Sequence, residues 1–236
     1  MNIPTDNSLP LVLLPGTGCN AMLWTDLLPL LPPFVQPIIP DLLACESLTA
    51  MLDKIAEVPH QQFALLGFSM GGFLAQAFYA KFPERVSQLI LVCCTGEGYS
   101  AAYREKRLAT IAKYEADPKW LTSEKNMALF LSPDHLHDAL IKHKLIAMLE
   151  TVGVETVVRQ MRITLQRDCY YEQLEQCKVP RLVIGARYDQ IAAPTVIEKL
   201  ATVLSLQPQW LDCGHMAPLE APEELGAILT SWFDSI

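Results

Sequence analysis

The sequence predicts a doubly wound α/β fold. A mostly parallel sheet of about six strands would be flanked by helices and carry an inserted all-helical cap. Three observations predict it. Six short apolar runs recur along the chain; they are near-continuous rather than alternating; and helical patterns separate them, with one long strand-free gap between Cys94 and Arg181. Strands covered on both faces lose the in–out alternation of half-exposed ones. Strand–helix alternation implies parallel pairing through right-handed crossovers.

The first run, LPLVLLP at 9–15, reads as a buried strand. It ends in Pro15-Gly16-Thr17-Gly18, and a helix is expected over about 20–31. Gly16, Gly18 and Ala21 have the G-x-G-x-x-A spacing, and Asp41 follows further on, so a dinucleotide-binding loop is one reading of this turn. Strands are then expected at 35–41, 63–69 and 87–94, with helices at 46–57 and 70–82. The gap reads as helices over about 99–116, 118–131, 133–150, 153–167 and 170–176, with Pro118 and Pro133 in first-turn positions. Strands at 181–186 and 208–213 and helices at 194–204 and 222–234 complete the pattern. Residues 1–96 and 177–236 would form the core, and 97–176 a cap over one end of the sheet.

Composition narrows the function. The chain has 236 residues, 51% of them hydrophobic and 19% charged, which marks a folded domain rather than a disordered one. A net charge of −8 argues against non-specific nucleic-acid binding. Of the 18 Lys and Arg, 11 lie between residues 96 and 175; a solvated helical surface is the simplest account. No apolar run reaches a membrane span, and the N-terminus lacks a signal-peptide pattern. Seven cysteines, an odd number without C-x-x-C, fit buried thiols in a reducing cytoplasm. His135-x-His137 does not place both rings on one helix face, so no metal site is expected there.

Three stretches carry chemistry. GFSMGG at 67–72 follows a strand and opens a helix. In G-x-S-x-G the small residues permit a sharp turn that presents Ser69 at the sheet's C-terminal end, above the positive end of the next helix. A serine hydroxyl needs a base. His215, in CGHMAPLEAPEEL after the last strand, is placed for that role. The base needs an acceptor to fix its tautomer, and Asp189 in RLVIGARYDQIAAP follows the fifth strand. Asp212 and Glu97 are alternative acids. Ser, Asp, His in that chain order, each after a different strand, is the hydrolase order.

These motifs resemble the α/β-hydrolases of the short-chain, helical-cap type, and the resemblance runs from Leu9 to Phe233. The chain is similar to pimeloyl-carrier-protein methyl esterases, to the succinyl-cyclohexadiene-carboxylate synthases of menaquinone synthesis, and to enol-lactonases. The resemblance implies an oxyanion hole from the backbone N–H groups of Met70 and Thr17. Pro15 stands where the family usually has histidine, and DLLACESL at 41–48 lacks the family's glycines. The usual N-terminal antiparallel hairpin is expected to be missing or vestigial.

A serine hydrolase of a small carboxylic ester or thioester is therefore expected, with no metal ion or organic cofactor implied. Carbon–carbon bond hydrolysis or a lyase step on the same residues is the alternative. A ligand-binding receptor on the same scaffold is the alternative of another class. Trp24, Phe68 and Met216 are candidates for an apolar pocket, as are Met127, Phe130, Leu131, Met148 and Met161, most of which helical spacing also suits to the core. Arg159 and Arg162 are three apart on one helix face, with Arg167 beyond. They could hold a carboxylate or an acyl-carrier protein, although surface pairing with Glu155 or Asp168 is the simpler reading.

Overall fold

The computed structural model describes residues 8–236. Six strands run through the molecule: β1 (Leu9–Leu14), β2 (Val35–Ile38), β3 (Phe63–Phe68), β4 (Val86–Val92), β5 (Arg181–Ala186) and β6 (Gln209–Leu211). They form one sheet of order β2-β1-β3-β4-β5-β6, and all five pairings are parallel. No antiparallel hairpin precedes β1 among the described residues. The chain leaves β1 toward β2 on one side and returns to β3 on the other. The β1 and β3 loops therefore diverge at a switch point, where open α/β sheets bind ligands.

The strands are apolar on both faces because both are covered. Leu11, Leu13, Leu66, Phe68, Val92 and Ile184 face one cluster; Val12, Leu14, Leu65, Leu91 and Val183 face the other. The second cluster is closed by α1 (Leu48–Ala56), α2 (Met70–Lys81) and α8 (Pro194–Val203). Helix α2 is buried continuously from Met70 to Tyr79, so it carries almost no polar face. The first cluster is closed by α9 (Ala217–Glu220), α10 (Pro222–Phe233) and four helices between β4 and β5: α3 (Ala101–Ala116), α4 (Glu124–Phe130), α5 (Ala139–Val152) and α6 (Val154–Ile163). Those helices have no core of their own. Ile111, Leu121, Met127 and Leu145 share one cluster with Leu13, Trp24 and Leu27. The short α7 (Tyr171–Glu175) instead buries Leu174 against the other face.

Several expected elements come out shorter. The helix expected over 20–31 is two single 3₁₀ turns, Ala21–Trp24 and Leu28–Leu30. Pro29, Pro32 and Pro33 remove the amide donors that a continuous helix would need there. Residues 118–131 divide into a 3₁₀ turn, Pro118–Thr122, and α4, because Ser123 is extended and its side chain caps Asn126 N–H. Pro133 lies in a turn before His135–His137. Helix α5 starts only at Ala139, where the Asp138 carboxylate accepts from Leu140 and Ile141.

Candidate active site

The turn between β3 and α2 is built by exclusion of side chains. A Cβ on Gly67 would lie 2.2 Å from Gly71 O, and one on Gly71 would lie 2.0 Å from Leu14 O. Only glycine lets α2 start this close to β1 and β3. Between them Ser69 adopts φ 53°, ψ −112°, a positive-φ backbone that L-residues rarely take, and gives no cap bond to α2. Such backbone costs on the order of 1–2 kcal/mol and persists only where packing enforces it. Its hydroxyl is free to project beyond the strand end.

There it meets His215. Ser69 Oγ lies 2.9 Å from His215 Nε2, and His215 Nδ1 lies 2.7 Å from Asp189 Oδ2. A carboxylate only accepts, so Nδ1–H donates to Asp189 and Nε2 is left to accept from the Ser69 hydroxyl. Asp189 is almost fully buried, and its other oxygen accepts from Ile191 N–H at 2.7 Å and Ala192 N–H at 2.8 Å. Burial pushes its pKa up. The charge of His215, its hydrogen bond and the two amides outweigh that and hold the carboxyl below the usual range. The other acids are engaged elsewhere: Asp212 pairs with Arg187 at 2.9 Å on the surface, and Glu97 pairs with Lys199.

The His215 loop is anchored by a residue that sequence reasoning passed over. Glu220 has a fully buried side chain. Its Oε2 accepts from Gly214 N–H at 3.0 Å, Ser132 N–H at 2.8 Å and His135 Nδ1 at 3.1 Å; its Oε1 accepts from Met216 N–H at 3.1 Å. The amides on both sides of His215 thus hang on one carboxylate. His135, weighed above for a metal, instead spans from the segment after α4 to this anchor. The signal was the Glu five residues after His215, in a stretch otherwise short of reasons to bury a charge.

Thr17 and Met70 face the same space, and neither N–H donates to another described group outside regular helix. The β1 loop does not suit a pyrophosphate. Gly18 N–H donates to Gln160 Oε1 on α6 at 2.8 Å, and a Cβ on Gly18 would lie 2.9 Å from Leu149. The loop leads into a 3₁₀ turn rather than a helix long enough to hold a phosphate, and Asp41 accepts from Leu43 N–H at the surface.

A cavity of about 420 Å³ opens over Ser69, between the strand ends and α3–α6. Phe68, Met216, Phe130 and Met161 line it. Trp24, Arg159 and Arg162 do not. Trp24 is fully buried in the core beneath. Arg159 donates to Leu43 O, and Arg162 pairs with Glu115 at 2.7 Å. Met127, Leu131 and Met148 are core. The polar lining comes from α3 instead: Tyr103, Lys106, Arg107, Thr110 and Tyr114 all face the cavity. Their three- and four-residue spacing was the signal, readable as one helix face.

A model of the alpha/beta hydrolase family matches residues 11–228. The chain belongs to the alpha/beta hydrolase family. This alpha/beta hydrolase is 24% identical to a monoacylglycerol lipase of Bos taurus, an alignment covering 96% of this chain and 75% of the relative. It is 27% identical to a pimeloyl-[acyl-carrier protein] methyl ester esterase of Yersinia enterocolitica, covering 87% and 83%. Among solved structures, a thermophilic esterase from Thermogutta terrifontis superposes with a TM-score of 0.86 at 22% identity, covering 98% of this chain and 91% of that one. A putative succinyl-cyclohexadiene-carboxylate synthase of Bacillus subtilis and the enol-lactonase from Burkholderia xenovorans, two further groups the motifs resemble, are also matched. The alpha/beta hydrolase is an enzyme with hydrolase activity. No helix among the described residues is long and apolar enough to cross a membrane.

Proposed function

We propose that this alpha/beta hydrolase is a serine hydrolase that cleaves a small carboxylic ester or thioester through an acyl-enzyme. The observation that carries the reading is the unbroken line from Ser69 Oγ through His215 to Asp189, at 2.9 and 2.7 Å, facing the cavity. Ser69 attacks the carbonyl while His215 Nε2 takes its proton. The Met70 and Thr17 N–H groups receive the negative charge that develops on the carbonyl oxygen, and each is worth ~10²–10³ in rate. His215 then returns the proton to the departing alcohol or thiol. Water, activated by the same imidazole, attacks the acyl group and frees Ser69. Asp189 holds the imidazole in the required tautomer and stabilises its cationic form. Residues 97–176 act as the cap that covers the bound ester and shapes its pocket.

The test joins labelling to turnover. A fluorophosphonate should modify the protein at Ser69, as located by peptide mapping, and p-nitrophenyl butyrate should be hydrolysed with a burst of p-nitrophenol. Modification elsewhere would sink the mechanism. Labelling at Ser69 without acyl turnover would move the assignment to carbon–carbon bond hydrolysis or a lyase step. Tight ligand binding indifferent to Ser69→Ala, with no turnover, would point to a receptor. The name of the Yersinia relative includes an acyl-carrier protein; preference for acyl-pantetheine thioesters over simple esters would extend the reading to carrier-bound acyl groups.

A further inference from the structure

The cavity has a second charged end. Arg167, in the segment after α6, is 8% exposed and lines the cavity. Its guanidinium packs over Phe73, 4.7 Å from the ring centroid, and over Tyr99 at 4.9 Å. One nitrogen donates to Thr95 O at 2.8 Å, another makes only a long contact to Tyr99 Oη at 3.4 Å, and the buried Nε has no partner. Arg107, on α3, also lines the cavity, with its guanidinium 5.4 Å from the same Tyr99 ring. It donates through Nε to Met161 O and through Nη2 to Thr164 Oγ1, which leaves Nη1 unused among the described residues.

Two like charges thus share one aromatic ring, and neither has a carboxylate partner among the described residues. The nearby acids are occupied: Glu97 by Lys199, and Asp189 by His215 and two amides. Stacking on aromatic faces offsets part of the desolvation of a guanidinium. It does not neutralise it, and a buried cation without a counter-charge is normally costly. A chain of net charge −8 that concentrates uncompensated arginines at its reaction cavity also draws anions to that point.

We infer that Arg107 and Arg167 form a carboxylate subsite, so that the substrate is a small ester bearing a free carboxylate, such as a half-ester of a dicarboxylic acid. The subsite rests on the reading of Ser69 as nucleophile only for its link to turnover. The planar donor fork of arginine suits a carboxylate, and Nε of Arg167 and Nη1 of Arg107 are the open donors.

The test compares charged with neutral esters of similar length. The wild-type protein should favour mono-p-nitrophenyl glutarate over p-nitrophenyl pentanoate, or 4-carboxyphenyl butyrate over phenyl butyrate, by about 10-fold or more in kcat/KM. In Arg107→Gln that ratio should fall about 10-fold, mainly through KM. Arg107 is partly exposed, so this variant avoids the folding risk of replacing the buried Arg167. A wild-type ratio near one for both pairs would overturn the subsite while leaving the serine-hydrolase reading intact. If no ester is turned over, the nucleophile reading fails, and calorimetry on Ser69→Ala decides the subsite. Glutarate binding there, with glutaramide silent and Arg107→Gln weakened, supports it. Tighter binding of inorganic phosphate than of glutarate, or no binding of either, overturns it.

Discussion

The loops at the strand ends and the helices between β4 and β5 both face the cavity, yet they are specified in different ways. The strand-end site is built from backbone. Gly67 and Gly71 leave no room for a Cβ, Ser69 sits at positive φ, and the oxyanion donors we propose are main-chain amides. The helical side contributes side chains presented from one face of α3. Backbone constraints restrict residue identity sharply; a side-chain lining tolerates change as long as the helix still packs. Substitutions should therefore separate the two regions by orders of magnitude.

The largest effect should come from Ser69→Ala, which removes the proposed nucleophile. We expect kcat for p-nitrophenyl butyrate to fall about 10⁴- to 10⁶-fold while the melting curve stays cooperative. Asp189→Asn comes next, at about 10⁴-fold, because an amide can leave His215 in the wrong tautomer. That variant also reports on acid stability. The folded state holds the Asp189 proton less tightly than the unfolded chain does. Its charge therefore contributes stability above the usual carboxylate range, and the contribution is lost as pH falls through the lower folded value. Urea midpoints measured from about pH 6 down to 2 should decline less steeply for Asp189→Asn than for wild type below about pH 4.

Two glycines give a direct contrast between the regions. In Gly71→Ala the new methyl would sit 2.0 Å from Leu14 O, so β1 and α2 must separate. A loss of about 3 kcal/mol or more is expected, together with most of the activity. Gly153 joins α5 to α6 at φ 79°, and a Cβ there would meet nothing nearer than Glu155 Oε2 at 3.5 Å. Its ψ of 149° puts it in the positive-φ extended region that only glycine readily adopts, so Gly153→Ala should cost about 1–3 kcal/mol through backbone strain alone, with activity kept. Equal losses in urea unfolding and in activity would break the distinction between the regions.

The same contrast explains what could be read from the sequence. The strands, their parallel pairing and the positions of Ser69, Asp189 and His215 were legible because steric exclusion and strand-end placement leave a fixed residue pattern. The arginines divided for an equally physical reason: surface pairing was the simpler reading, and two of them do find partners away from the cavity, while Arg167 lines it. Arg159 and Arg162 share a face of the most amphipathic helix, and their partners are Leu43 O and Glu115 rather than the expected Glu155 or Asp168. The polar face of α3 looked solvated, and a face turned to a partly polar cavity has the same composition as one turned to bulk water. Glu220 left only a faint mark, an acid five residues after His215, because a buried carboxylate is recognised by the amides it collects, which come from residues 132, 214 and 216.

Glu220 joins the two regions, and its substitution should fall between their extremes. Glu220→Gln keeps the shape but loses the charge, and an amide nitrogen would face an N–H donor at one of its four bonds. We expect a loss of about 1–3 kcal/mol and about a 10-fold fall in kcat as the His215 loop loosens, with KM little changed. A change in KM alone would place its role in the cap rather than in the His215 loop.

The smallest effect should follow Arg162→Gln. Arg162 and Glu115 form a 2.7 Å pair between α6 and α3, but both side chains are about half exposed. Water screens such a pair, and holding two long side chains in register costs entropy, so its removal should change stability by no more than about 0.5 kcal/mol. The pair nonetheless bridges the two helices that carry Arg107 on one side and Gln160, the partner of Gly18 N–H, on the other. Thermal melting of Arg162→Gln within about 1–2 °C of wild type, with kcat/KM unchanged, would mean that apolar contacts such as Ile111 and Val157, not the ion pair, hold α3 against α6. A larger drop in activity than in stability would show that this surface pair helps set the β1 loop through Gln160, and that the helical side is less tolerant than its side-chain construction implies.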